Sequence, residues 1–146
     1  MNEPLDILLI EDNPLDAELT IRALKELMLA DHLIHLPDGQ AGLDFLFGAG
    51  AYEGRDISQQ PKIILLDLKL PKLSGMEVLR ELRAVEYTKY IPVVVLTSSS
   101  EMRDVSECYR LGANSYIVKP IDYQTYLDVI GNMGLYWLKT NLYSNV

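Results

Sequence analysis

Lys62-Ile63-Ile64-Leu65-Leu66-Asp67-Leu68-Lys69-Leu70-Pro71-Lys72-Leu73-Ser74-Gly75 decides the fold of this chain. Four consecutive apolar residues run into one aspartate, then a proline-containing loop, then a helix start. An apolar run without alternation is the habit of a strand buried on both faces, as in the centre of a parallel sheet. Asp67 then falls at the carboxyl end of that strand, where open α/β sheets place their ligand chemistry. Pro71 cannot donate to a ladder, so the strand stops before it. Asp67 is therefore the candidate reactive residue.

Strands with the same character lie on either side. Leu5–Ile10 is nearly continuous in apolar residues and ends in Glu11-Asp12. Asn13 and Pro14 open a helix, as cap and first helical residue. Its apolar row is Leu15, Leu19, Ala23 and Leu27, widened by Ile21, Leu24 and Met28, and it should fade near Ala30. His32–Leu36 reads as a short strand whose two histidines, three apart, point to opposite faces and make no metal pair. Asp38-Gly39 opens a second helix to about Phe47. Residues 48–61 carry three glycines and no sustained period, so they read as a long loop, either functional or mobile.

Ser74 caps a third helix with the row Val78, Leu79, Leu82 and Val85. Pro92–Leu96 is a buried strand ending in Thr97-Ser98-Ser99-Ser100. Met102, Val105 and Tyr109 mark a fourth helix, closed by Gly112. Asn114–Val118 is a fifth strand, ended by Lys119-Pro120. A last helix from about Asp122 to Leu138 carries Tyr123, Tyr126, Leu127, Ile130, Gly134 and Trp137 at helical spacing. Gly131 and Gly134 each cost it about 1 kcal/mol relative to Ala, which points to close packing. Strands alternating with helices give a doubly wound, five-stranded parallel sheet with five helices, flavodoxin-like with strand order 2-1-3-4-5.

With 146 residues, the expected organisation is one domain over 1–146, without an output domain. A net charge of −8 disfavours DNA and anionic membrane surfaces as partners. The single cysteine, Cys108, fits a reducing compartment, and no apolar run approaches a membrane span. A cytoplasmic protein is expected.

Glu11-Asp12, Asp67, Thr97 and Lys119 occupy the carboxyl ends of the first, third, fourth and fifth strands. The first and third flank the topological switch point, so their terminal side chains meet in one crevice. Three carboxylates there repel, by about 4 kcal/mol per pair at ~4 Å and an effective dielectric of ~20. The cluster needs a cation, and oxygen ligands favour Mg²⁺. With Lys119 as a second positive charge and Thr97 as a hydroxyl donor, the assembly suits stabilisation of phosphoryl charge.

On Glu11-Asp12, Asp67 with Pro71 and Gly75, Thr97-Ser98 and Tyr116-Ile117-Val118-Lys119-Pro120, the chain resembles the receiver domain of two-component response regulators over essentially its whole length. The resemblance implies that Asp67 accepts a phosphoryl group from a histidine of a sensor kinase. It implies Mg²⁺ held by Asp12, Asp67 and the backbone carbonyl of Lys69, with Glu11 acting through water. Thr97 would bind a phosphoryl oxygen, Lys119 would pair with it, and the bond before Pro120 would be cis. Tyr116 would turn inward as Thr97 moves, altering the face made by the fourth helix, fifth strand and fifth helix. The long loop before the third strand and the Tyr-Trp-rich last helix resemble the stand-alone regulators paired with phytochrome kinases, which form homodimers through that face. Tyr109, Val129, Leu135 and Tyr136, apolar and off the main buried rows, form a candidate patch for it. The downstream partner would be a protein target.

Three other readings compete with this one. A haloacid-dehalogenase-type phosphatase needs a second acid two residues after its nucleophile, and that position is Lys69. A flavin site needs a phosphate cradle after the first strand, where Glu11-Asp12 would repel the phosphate. A phosphorylation-independent scaffold with a receiver fold is the alternative that stays open.

Overall fold

The structure, a computed structural model, describes residues 4–143. Five strands form one parallel sheet in the order β2-β1-β3-β4-β5: β1 Ile7–Ile10, β2 Leu33–Leu36, β3 Ile63–Leu66, β4 Val93–Thr97 and β5 Ser115–Val118. The three central strands are buried at every residue, as their unbroken apolar runs require. The edge strand β5 is only partly covered along its length.

Helices α1 (Pro14–Glu26), α2 (Gly39–Phe47), α3 (Gly75–Arg83) and α4 (Met102–Leu111) connect the strands, and α5 (Tyr123–Leu135) follows β5. Two apolar layers result. One centres on Leu8, Ile10, Ile64, Leu66, Val93 and Val95 with the inner faces of α2, α3 and α4. The other joins Ile7, Leu9, Ile63, Leu65, Val94 and Leu96 to α1 and α5. Alternate residues of each strand serve opposite layers, which is the period-2 geometry of a strand used twice.

The caps lie where the sequence puts them. Asn13 Oδ1 accepts from the N–H groups of Leu15 and Asp16, Asp38 Oδ1 from Ala41, and Ser74 Oγ from Glu77. Gly112 takes the left-handed conformation that closes α4.

Several packing expectations are corrected. The buried stripe of α1 is Ala17, Thr20, Ala23 and Leu24, whereas Leu15, Leu27 and Met28 are exposed. Helix α5 lies close against this stripe, and its glycines make room for leucine side chains of α1. A Cβ on Gly134 would come within 2.7 Å of Leu24 Cδ2, and one on Gly131 within 3.0 Å of Leu27 Cδ1. The two glycines are thus explained by close packing.

Val85 lies beyond the end of α3 and is half-buried. In α4 the buried residue is Cys108, while Met102 and Tyr109 are exposed, because the helix shows the core only a narrow stripe. Helix α1 ends at Glu26, with Met28 in the left-handed region at φ +57°. Tyr123 is exposed, and after Leu135 the last helix widens to a π-helical turn, Tyr136–Thr140.

The 48–61 loop is folded. It contains a 3-10 turn at Gly50–Tyr52, and Phe45 receives Tyr52 edge-on and the Arg55 guanidinium at 3.9 Å from its ring centroid. Gln60 Nε2 donates to the carbonyls of Leu46 and Ile57.

Candidate functional site

Parallel register builds the site. Ile10 pairs with Leu66, so the next residues of β1 and β3, Glu11 and Asp67, emerge side by side; Asp67 N donates to the Ile10 carbonyl at 3.1 Å. Thr97 pairs with Val118, and Lys119 N donates to the Thr97 carbonyl at 2.7 Å. Glu11, Asp67 and Lys119 thus come together, and Thr97 lies at the neighbouring strand end, joined to Lys119 through the backbone.

Asp67 is buried, and one of its oxygens accepts from Leu68 N at 2.7 Å. The loop after it is clamped from two helices. A Cβ on Gly75 would stand 2.2 Å from the Asp67 carbonyl oxygen, and one on Gly39 at the same distance from that of Leu73. Only glycine lets the starts of α3 and α2 approach so closely. Lys72 in this loop has φ +69°, and its ammonium lies 3.6 Å from Asp38.

Lys119 reaches across the crevice. Its Nζ lies 2.5 Å from Glu11 Oε1, 2.9 Å from Asp16 Oδ2 and 3.2 Å from Asp67 Oδ2. Burial works against its charge, but hydrogen bonds to Asp16 and Glu11 and the Asp67 charge outweigh it and hold the amine above the usual lysine range. Burial, opposed by the Lys119 hydrogen bond and reinforced by Asp67, pushes the Glu11 carboxyl up to about 7. The Nζ–Oε1 distance is that of an ammonium on a carboxylate, so the charged pair is what the geometry supports.

Glu11, Asp12 and Asp67 each present a carboxylate oxygen within 4.8 Å of the others, with Asp12 exposed. A set made wholly of carboxylate oxygens, with one side open to solvent, fits a hard divalent cation that keeps part of its water shell.

The remaining expected residues are distributed around this centre. Thr97 is fully buried at the end of β4, and its Oγ1 accepts from Ser99 N at 3.4 Å. Tyr116 is partly buried and donates from its hydroxyl to the Ser99 carbonyl at 2.9 Å. Lys69 is exposed in the loop after Asp67, and no described hydrogen bond takes its carbonyl. Among the described residues no peptide bond is cis, so the expected cis bond before Pro120 is trans. An X-Pro bond keeps a trans preference of about 0.5–1 kcal/mol, and Lys119 meets its carboxylates with that isomer.

Tyr109, Leu135 and Tyr136 are exposed and Val129 is half-buried, all outside the crevice. Asp16 is a member of the site that the sequence does not single out. It lies in the first turn of α1, and no spacing in the sequence distinguishes it from an ordinary helix-start acid.

Residues 7–130 match the family model described as the response regulator receiver domain. The chain belongs to the response regulator receiver family. This receiver is 39% identical over 139 residues to the probable methanogenesis regulatory protein FilR2 of Methanothrix harundinacea, covering 95% of this chain and 87% of that one. It is 40% identical over 139 residues to the response regulator Rcp1 of Synechocystis sp., covering 95% and 92%. Among solved structures, the phosphorylated cyanobacterial phytochrome response regulator RcpA superposes with a TM-score of 0.89 at 32% identity, over 98% of this receiver and 100% of that chain. The Mn²⁺-bound form of Rcp1 superposes with a TM-score of 0.88 at 38% identity, over 97% and 99%. Membership in this family places the receiver in two-component signalling. No helix among the described residues is long and apolar enough to cross a membrane.

Proposed function

We propose that the protein is a phosphorelay switch in which Asp67 accepts a phosphoryl group from a phosphohistidine of a sensor kinase. The observation that carries this reading is the buried Asp67 carboxylate, 3.2 Å from the Lys119 ammonium and inside the cluster it shares with Glu11 and Asp12. An Asp67 oxygen attacks phosphorus, an O–P bond forms, the N–P bond to imidazole breaks, and the leaving nitrogen keeps the electron pair. The product is an acyl phosphate.

Glu11, Asp12 and Asp67 would hold Mg²⁺, joined by the Lys69 carbonyl. The ion supplies charge neutralisation at the phosphoryl oxygens. Lys119 pairs with the transferred group, and Thr97 donates its hydroxyl to it. Inverting a 1:99 equilibrium takes about 5.5 kcal/mol, and charge-assisted bonds of ~1.5–3 kcal/mol each from these two residues supply much of it. Tyr116, anchored on the Ser99 carbonyl, lies where a shift of the loop after Thr97 would move it.

RcpA is by name a phytochrome response regulator, and its fold covers nearly the whole of this chain. That supports a phytochrome-type histidine kinase as the donor. The half-open edge at β5, with Tyr109, Val129, Leu135 and Tyr136, supports homodimerisation through the α4-β5-α5 face. The test of the central reading is labelling by acetyl phosphate or a phosphorylated kinase in the presence of Mg²⁺. Wild type is expected to take up one phosphoryl group and Asp67→Asn none; equal labelling of the two would overturn the assignment.

A further inference from the structure

All three N–H donors of Lys119 are committed to carboxylates: Glu11, Asp16 and Asp67. A lysine ammonium has three donors and no more, so the cation is saturated. A phosphoryl oxygen can pair with Lys119 only by displacing one of the three. They are not equivalent. The side chain of Glu11 is 1% exposed, that of Asp67 10%, and that of Asp16 28%. Releasing a buried carboxylate strands its charge away from water, whereas a partly exposed one is rehydrated at small cost. Asp67 itself would carry the phosphoryl group. Asp16 is left as the partner that exchanges.

The backbone around Asp16 is held independently of its carboxylate. Its N–H donates to Asn13 Oδ1, and its carbonyl accepts from Thr20 Oγ1 at 2.8 Å. Thr20 Oγ1 also lies 2.8 Å from the hydroxyl of the buried Tyr126 on α5. The turn is thereby tied to a second helix. Among the described residues, Lys119 is the one cation bonded to the Asp16 carboxylate. A side-chain exchange can occur here without moving α1.

We propose that Asp16 is a positioning residue that holds Lys119 in the unphosphorylated protein and yields it to the group on Asp67. Its carboxylate thereby sets the affinity of the site for a phosphoryl-like anion and shortens the lifetime of the acyl phosphate. The proposal rests on the acceptor reading of Asp67.

The test measures beryllium fluoride binding to the full chain with Mg²⁺, by titration of amide NMR shifts, for wild type, Asp16→Ala, Asp16→Asn and Asp16→Glu. Asp16→Ala and Asp16→Asn are expected to bind about tenfold tighter, the equivalent of one charge-assisted hydrogen bond. Asp16→Glu restores a carboxylate and is expected to stay within about twofold of wild type. After labelling with acetyl phosphate, decay of the Asp16→Asn acyl phosphate is expected to be several-fold slower than that of wild type. A purely structural role would not give this rescue by glutamate. Unchanged or weaker binding in the alanine and asparagine variants, or a glutamate variant that behaves like alanine, would overturn the proposal alone. A wild-type chain that takes up no beryllium fluoride would overturn the acceptor reading, and this proposal with it.

Discussion

Cys108 shows what burial does to a reactive group. It is fully enclosed on the inner face of α4. Burial foremost, with Asp104 and Glu107 adding to it, pushes the thiol from 9.0 up to about 11. A thiol held neutral and enclosed is a poor nucleophile. Native protein at pH 8 is expected to resist a disulfide-exchange reagent and to react after addition of denaturant. The linkage has a definite sign. Between pH 9 and pH 11 the unfolded chain has lost this proton and the folded chain has kept it, so the contribution to stability is intact below pH 9 and falls as pH rises toward 11. Because tyrosines also titrate there, the check is a comparison of urea midpoints: Cys108→Ala is expected to lose less stability than wild type across that window.

Among the elements, the end of α3 has the most consequential anchor. The Arg83 guanidinium donates to the carbonyls of Gly112, Lys89 and Ile91 and to Asn114 Oδ1. Asn114 Oδ1 in turn accepts from Val93 N at 2.8 Å. One side chain thus ties the end of α4 to the entry of β4 and satisfies carbonyls that no helix or ladder uses. Replacing it leaves several of these acceptors unmatched, at about 1–3 kcal/mol for each that stays buried. Arg83→Met is expected to lower the unfolding free energy by about 2–4 kcal/mol in urea denaturation. Arg83→Lys should recover little of that loss, because one ammonium cannot reproduce a planar fork. The same fixed end means that rearrangement near Thr97 would reach α4 first at its opposite, N-terminal end.

At the scale of the molecule, the two edges of the sheet differ. Both edge strands are only partly covered, but β2 ends in the buried Leu36 after the exposed His35, whereas β5 ends in the exposed Val118. An uncovered edge flanked by apolar side chains is an association surface. Sedimentation velocity is expected to show a dimer that tightens on addition of beryllium fluoride and Mg²⁺. Leu135→Glu with Tyr136→Glu should weaken it at least about tenfold by setting like charges into the contact. A monomer under both conditions would remove the α4-β5-α5 dimer from the account.

Composition and pattern alone determined the strand count, the helix caps and the residues at the strand ends. Unbroken apolar runs such as Ile63–Leu66 leave only a doubly covered strand, and Asn13-Pro14 and Ser74 can begin little other than a helix. Which helix face turns inward was decided by the tertiary structure. The row Leu15, Leu19, Ala23 and Leu27 has the stronger apolar signal, yet Ala17, Thr20, Ala23 and Leu24 are buried, because α5 packs on that side and its Gly134 leaves room for the Leu24 side chain. Asp16 was invisible for a related reason. Its meaning depends on where the Lys119 ammonium ends, 103 residues away in sequence, and a distance across the sheet has no period to read along the chain.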